Sequence, residues 1–178
     1  MFKKFVLVIP ILLTILYFEG FFFDEIQKIS TSFFNNKVKD SRPKSIIMFD
    51  NLENYSKKYG IPKHIVYNIA YLETKYKGPY DWNYKHNLTS SVGALGPMQI
   101  MPATANFIRK YDVPEKKLLN DIEFNVETSL LLLKNLHDRY KNWELVCGYY
   151  NTGRPIINDY ASFCVKNVNY KKNWKKVD

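Results

Sequence analysis

Apolar side chains in the central part of the chain recur at the spacing of an α-helix. After Pro62, residues Ile65, Ile69 and Leu72 follow at intervals of four and three, which places them on one stripe of a helix. From about residue 46 onward there are no alternating apolar and polar runs joined by hairpin turns, which is the pattern that strands produce. The pattern therefore predicts an all-α domain.

Glycine and proline residues divide this domain into separate helices. The first helix is expected over about 48–59, with Gly60 as its C-cap. Later helices are expected from Pro62 to Tyr76, from Pro102 to about 111, from Pro114, after Asn120-Asp121, and from Trp143 to a cap at Asn151 or Gly153. The helix after Asp121 carries the apolar run 130–133, so we predict that it forms the buried centre.

The N-terminus shows a different apolar pattern. Lys3 and Lys4 precede about 14 apolar residues, and the apolar character extends to Phe23. A basic start before an apolar run is typical of a signal sequence, and there is no small-residue cleavage site or lipobox cysteine after it. This favours an uncleaved signal anchor, with a cleaved signal peptide as the alternative. Both would export the domain, and the two lysines would stay in the cytoplasm.

These patterns predict four parts of the chain. Residues 1–23 form the signal anchor or signal peptide, 24–45 a linker, 46–165 the helical domain and 166–178 a basic tail. The domain is expected on the periplasmic or cell-surface side. Residues 5–23 would anchor it to the inner membrane.

Composition adds a constraint on partners. The 178 residues include 26 Lys and Arg against 17 Asp and Glu, and the excess positive charge attracts anionic surfaces. Much of this excess lies at the two ends of the chain, and no pattern of an RNA- or DNA-binding module accompanies it. We therefore expect a membrane surface or an anionic cell wall as partner, and no nucleic acid.

Two cysteines, Cys147 and Cys164, leave a disulfide open. Export would permit the bond, but Cys147 also suits a helical apolar stretch as a small free thiol. Together with three scattered histidines they do not have the spacing of a metal site.

Glu73 is the candidate catalytic carboxylate. It lies four residues after Ile69 and near the end of its predicted helix, on or beside the apolar stripe. Burial and the negative end of the helix dipole both raise the pKa of a carboxyl group in such a position, as a general acid requires. The alternative is a surface glutamate that pairs with Lys77, one turn further on.

Three segments carry a family resemblance. They are Glu73-Thr-Lys-Tyr76, then Ser90-x-x-Gly93-Ala-x-Gly-x-Met98-Gln99-Ile-Met-Pro-Ala-Thr-Ala105, and finally Tyr149-Tyr150-Asn151-Thr-Gly153. In this order they resemble the motifs of the soluble lytic transglycosylases, which have a goose-lysozyme-like fold. The resemblance covers about residues 46–160 and implies a lysozyme-like helical domain.

The resemblance also implies an activity and a set of site residues. Glu73 matches the family's single catalytic acid, and the positions that line its sugar groove are matched by Ser90, Met98, Gln99, Tyr150 and Asn151. The implied reaction cleaves the bond between N-acetylmuramic acid and N-acetylglucosamine in peptidoglycan and forms a 1,6-anhydro ring, without a metal or cofactor. Gln99 could donate to and accept from a sugar. Tyr150 could hold the Glu73 carboxyl or a sugar while its ring walls the groove.

The sequence departs from the family pattern at several positions. Thr74 replaces the usual serine, Pro97 the usual leucine, and Tyr149 the usual alanine, while the loop 77–89 is longer than usual. These changes affect the predicted groove and its ends rather than the predicted acid.

Two other functions fit the same motifs. A muramidase on this fold would use water and a second carboxylate, and Asp81 is the acidic candidate between the first two motifs. A non-catalytic wall-binding module beside an envelope-spanning machine is the other alternative.

Overall fold

Helices with short connections make up the part of the chain that this computed structural model describes, residues 41–167. In chain order they are α1 (Lys44–Tyr59), α2 (Lys63–Thr74), α3 (Pro102–Arg109), α4 (Glu115–Asn120), α5 (Ile122–Tyr140), α6 (Trp143–Thr152) and α7 (Asp159–Cys164). The only strand-like pairing within these residues is a pair of isolated bridges, which join Leu95 to Thr89 and Ile100. The predicted all-α character is confirmed for this part of the chain.

Left-handed residues end most of these helices. Gly60 closes α1 at φ 66° and Gly153 closes α6 at φ 73°, which is a conformation that glycine adopts without steric cost. Lys75 adopts the same conformation, at φ 58°, and ends α2 at Thr74. The prediction that this helix reaches Tyr76 is therefore wrong, because the chain reverses directly after Glu73 and Thr74.

Prolines lie at the starts of several helices, as predicted, but the first helix begins earlier than expected. Pro62 and Pro114 are N-cap residues, and Pro102 is the first residue of α3. The first helix begins at Lys44 rather than near residue 48, because Pro43 O accepts hydrogen bonds from the backbone N–H groups of Ile46 and Ile47.

The predicted central helix is α5. Its residues Val126, Leu130 and Leu133 are fully buried, and α1 packs along it through Met48 and Leu52. A second, smaller apolar cluster, which includes Ile100 and Leu118, lies under α3 and α4. Burial of these stripes supplies the main stabilising term of the domain.

Glu127 on α5 connects three helices. Its carboxylate accepts hydrogen bonds from Lys58 Nζ on α1 at 2.8 Å and from Arg109 Nη2 on α3 at 2.9 Å. Arg109 Nε also donates to Thr128 Oγ1 at 2.7 Å. Although partial burial favours the neutral acid, the hydrogen bonds from Lys58 and Arg109 outweigh it and hold the pKa of Glu127 below its ordinary value.

A disulfide joins α6 to α7. Cys147 and Cys164 are bonded and both are fully buried, so the structure contains the bonded form of a pair that the sequence left open.

Within residues 41–167, none of the helices combines the length and the apolar character that a membrane crossing requires. The predicted anchor 5–23, the linker up to residue 40 and the tail beyond residue 167 lie outside the described residues.

Substitution Glu127→Gln should lower the free energy of unfolding at pH 7 by about 1 kcal/mol, since the ion pairs of Glu127 with Lys58 and Arg109 are partly exposed to solvent. The folded-state pKa of Glu127 is lowered, so its contribution is present above the unfolded pKa and is lost as pH falls through the folded one. Urea unfolding at pH 7 and pH 3 should show a smaller difference between wild type and variant at pH 3. The exposed Glu115→Gln variant on α4 is the control, and an equal Glu127→Gln effect at both pH values would contradict the assignment.

Candidate active site

Glu73 lies at the C-terminal end of α2, where the helix meets the glycine-rich segment of the second motif. The neighbouring Thr74 Oγ1 donates to Pro97 O at 2.9 Å and lies 3.0 Å from the Tyr84 hydroxyl. Thr74 is buried, whereas Glu73 is half-buried. The hydroxyl at position 74 therefore fixes the end of α2 against the second motif, with the Glu73 carboxyl beside the junction.

The partner of the Glu73 carboxylate is a tyrosine from α7. Tyr160 OH donates to Glu73 Oε1 at 2.6 Å, across a sequence separation of 87 residues. No ion pair between Glu73 and Lys77 is present in the described part of the chain. The alternative of a surface glutamate paired with Lys77 is therefore not what the structure contains.

The surroundings of Glu73 favour its protonated form. Burial raises the pKa of its carboxyl group above the ordinary value, and the hydrogen bond from Tyr160 and the positive charge of Lys75 oppose only part of that rise. Burial and the charge of Glu73 also raise the pKa of the Tyr160 hydroxyl well above its usual range, so Tyr160 keeps its proton. Glu73 can therefore hold a proton closer to neutral pH than an exposed glutamate does.

Tyr150 has a different partner from the one expected. Its hydroxyl donates to Met98 O at 2.7 Å. The hydroxyl therefore binds the second motif rather than the Glu73 carboxyl. Burial and the negative charge of Glu73 raise the pKa of Tyr150 above its ordinary value. Tyr150 thus lies within electrostatic reach of the acid and joins α6 to the second motif.

Met98 is held from behind by a buried asparagine on α5. Met98 N donates to Asn125 Oδ1 at 3.0 Å, and Asn125 Nδ2 donates to the carbonyls of Leu95 and Leu118, each at 2.9 Å. A Cβ at Gly96 would lie 2.4 Å from Asn125 Nδ2, so only glycine permits this close approach. The Met98 side chain is fully buried and therefore packs in the core rather than lining an open groove.

Gln99, within the second motif, has a strained backbone conformation. Its φ is 50°, which is uncommon for a residue with a side chain. Its Nε2 donates to Leu88 O at 3.0 Å and to Gly96 O at 2.9 Å. The amide nitrogen is therefore engaged by the backbone, and the amide oxygen is the group that can accept a hydrogen bond from a ligand.

Ser90 and Asn151 have structural contacts of their own. Ser90 Oγ accepts from Ala94 N at 2.9 Å and closes a tight turn. Asn151 is exposed, and its Oδ1 accepts from Asn158 Nδ2 at 3.1 Å. Asn158 in turn is the N-cap of α7. In the structure, Tyr150 lies close enough to Glu73 for the charge of the acid to raise the pKa of its hydroxyl, which binds Met98 O. Ser90 lies in the turn at the start of the second motif.

Tyr160 is the site residue that the sequence analysis missed. Asn158-Asp159 is a helix-start signal that could have predicted α7. The contact with Glu73 has no local signal, because it depends on how the chain returns after α6. A Cβ at Gly148 would lie 1.7 Å from Ile156 O, so glycine at this position lets the returning segment cross α6 closely.

The fold and site define a helical domain that presents a half-buried, tyrosine-bound carboxylic acid. The model of the transglycosylase SLT domain family matches residues 50–173, and the chain belongs to that family. The predicted family is confirmed.

A similar solved structure is an inactive mutant of the lytic transglycosylase Slt from Pseudomonas aeruginosa. It is 23% identical, with a TM-score of 0.49, and the match covers 79% of this chain. The same match spans 22% of the Slt chain. No curated protein matches the sequence of this chain.

Substitution Tyr160→Phe should raise the pKa of Glu73 further, because it removes a hydrogen bond that stabilises the carboxylate but keeps the ring that excludes water. We expect a rise of about one unit, measured by ¹³C NMR titration of the Glu73 carboxyl carbon.

The matched control is Tyr55→Phe, since Tyr55 OH donates to Glu123 on the far side of the domain at 3.2 Å. An unchanged or lowered Glu73 pKa in the Tyr160→Phe variant would show that the hydrogen bond does not stabilise the carboxylate.

Proposed function

We propose that this protein is a peptidoglycan lytic transglycosylase that cleaves the β-1,4 bond between N-acetylmuramic acid and N-acetylglucosamine, with Glu73 as its single catalytic acid. The observation that carries the proposal is the Glu73 carboxyl itself, which burial keeps protonated toward neutral pH and Tyr160 holds at 2.6 Å. The family supplies the substrate class, and the acid supplies the chemistry.

Glu73 acts twice in the proposed reaction. As an acid it donates its proton to the glycosidic oxygen while the bond to the muramic anomeric carbon breaks. As a carboxylate it then removes the proton from the muramic 6-hydroxyl, whose oxygen attacks the anomeric carbon and closes the 1,6-anhydro ring. Glu73 is protonated again at the end, and water is not consumed. The bound sugar provides the nucleophile at high effective concentration.

The Tyr160 hydroxyl suits both halves of this cycle. It stabilises the carboxylate that exists between the two proton transfers, and it leaves the second carboxyl oxygen for the sugar. Burial prevents that carboxylate from becoming too weak a base, because it opposes the effect of the hydrogen bond on the pKa.

A hydrolytic mechanism has less support. An inverting muramidase needs a second carboxylate about 6.5–9.5 Å from the acid. Besides burial, the charge of Asp81 raises the pKa of the Tyr76 and Tyr84 hydroxyls, whereas the pKa of Glu73 is raised by burial and lowered by Tyr160 and Lys75. The product chemistry described below distinguishes a role for Asp81 from the single-carboxylate mechanism. The same buried acid argues against a module that only binds the wall.

The substrate groove is proposed to run past the second and third motifs. Gln99 would accept a hydrogen bond through its amide oxygen, and the exposed Asn151 would contact sugar at the other side. Ser90 and Met98 would act by shaping the turn and the core behind the groove. Tyr150 would hold the second motif in place through Met98 O.

We also propose that the domain works outside the cytoplasm, anchored to the inner membrane by residues 5–23. The layout of the N-terminal sequence supports this. The Cys147–Cys164 bond supports it independently, because disulfides persist in oxidising compartments. A tethered enzyme of this kind would suit an envelope-spanning machine, which needs a local opening in the wall.

Substitution Glu73→Gln should reduce the clearing of purified peptidoglycan by about 10²- to 10⁴-fold, since it removes the general acid but keeps the shape of the side chain. Binding to the wall, measured by co-sedimentation, should persist. The control is Glu115→Gln, an exposed acidic residue in the first turn of α4. Undiminished clearing by the Glu73→Gln protein would show that another group is the acid.

Mass spectrometry of the wild-type digest should show 1,6-anhydro-muropeptides, because the 6-hydroxyl rather than water attacks the anomeric carbon. Digests performed in H₂¹⁸O should carry no heavy oxygen at the new ends. Reducing ends alone, with ¹⁸O incorporated, would identify a muramidase instead.

A further inference from the structure

Helix α7 is too short to be stable by itself, yet it carries Tyr160. It has six residues, and isolated helices of that length do not form in water. Its position against Glu73 must therefore come from its contacts with the helices beside it.

The first of these contacts is the disulfide to α6. Cys164 lies four residues after Tyr160 on α7, and Cys147 lies three residues before Tyr150 on α6. Residues three or four apart share one face of a helix. The bond between two buried cysteines, with Cα atoms 6.2 Å apart, therefore joins the helix faces that carry the two site tyrosines.

The second contact is made by Asn68, on the same helix as Glu73. Its Nδ2 donates to the carbonyls of Cys164 at 2.8 Å, Lys166 at 2.9 Å and Phe163 at 3.3 Å. Phe163 and Cys164 lie in the last turn of α7 and Lys166 follows it, so Asn68 caps the C-terminal end of this helix. Asn68 is buried, so α7 docks directly on the helix that presents the acid.

We propose that the Cys147–Cys164 disulfide and Asn68 are positioning elements for the reaction, which fix α7 so that the Tyr160 hydroxyl stays on the Glu73 carboxylate. The proposal rests on the proposed function of Glu73. All three residues are buried. They act through Tyr160, and their loss should weaken the link between the Tyr160 hydroxyl and the acid.

Other contacts also hold α7: Ala161 is buried in the main apolar cluster, and the Phe163 ring stacks on Tyr71 of α2 at 6.1 Å. Ser162 Oγ donates to Glu144 Oε1 at 3.0 Å, and Asn158 joins Asn151 at 3.1 Å at a solvent-exposed position. Without the disulfide, these contacts keep α7 near α6 but leave the Tyr160 hydroxyl free to separate from Glu73.

A double-mutant cycle tests this coupling. Tyr160→Phe is introduced into the bridged protein and into the Cys147→Ala/Cys164→Ala protein, and two quantities are measured: peptidoglycan clearing and the NMR-titrated pKa of Glu73. We expect Tyr160→Phe to reduce activity roughly tenfold in the bridged protein. In the unbridged protein it should cost less than about twofold, with a smaller pKa change, because the sites are coupled.

Two further proteins keep the test decisive. Leu52→Ala destabilises the core where α1 packs on α5, and there the Tyr160→Phe effect should remain about tenfold. If the unbridged protein does not fold, Asn68→Ala takes its place in the cycle with the same expected result.

Equal effects of Tyr160→Phe in all backgrounds would overturn the proposal, because the disulfide and Asn68 would then serve stability alone. Failure of the proposed function is distinguishable from this outcome. An active Glu73→Gln protein would remove the catalytic assignment, whereas the pKa measurements would still report whether the Tyr160 contact depends on the bond.

Discussion

The candidate site depends on one hydrogen bond to one half-buried carboxyl group. Burial raises the pKa of Glu73 above its ordinary value, whereas full solvation would make it an ordinary surface acid. The Tyr160 hydroxyl, 2.6 Å from Glu73 Oε1, keeps the pKa of Glu73 between these limits, since it stabilises the carboxylate without admitting water. Because α7 supplies that hydroxyl, and α7 cannot stand by itself, the chemistry of the acid is tied to the packing of the last described helix.

The rest of the site extends the same arrangement. Thr74 fixes the end of α2 to Pro97 O, and Tyr150 fixes α6 to Met98 O. Behind them, Asn125 gathers three backbone groups of the second motif and its neighbours in a fully buried position. Each bond satisfies a buried polar group that would otherwise destabilise the fold. These bonds thus hold the second motif in place, and Glu73 on α2 and Tyr160 on α7 meet beside it.

Local patterns predicted much of the fold. Apolar spacing identified the central helix, and Gly60, Pro62 and Pro102 marked helix ends because their backbone preferences are intrinsic. Glu73 could be singled out because its neighbours Ile69 and Ala70 are in the same helix. Tyr160 could not, because its contact crosses 87 residues and needs the three-dimensional return past Gly148. For the same reason the sequence predicts the Glu73 carboxyl or a sugar as the partner of the Tyr150 hydroxyl, and does not predict the Met98 carbonyl that it binds.

The central claim is that the protonated Glu73 carboxyl delivers the proton that breaks the glycosidic bond. The most direct test compares two values on the wild-type protein: the pKa of Glu73 from ¹³C NMR, and the alkaline limb of the pH profile of kcat/KM for release of 1,6-anhydro-muropeptides. Because kcat/KM reports the essential acid of the free enzyme, the two values should coincide, above the ordinary pKa of a glutamate. An alkaline limb that falls at a pH unrelated to the Glu73 titration would contradict the account.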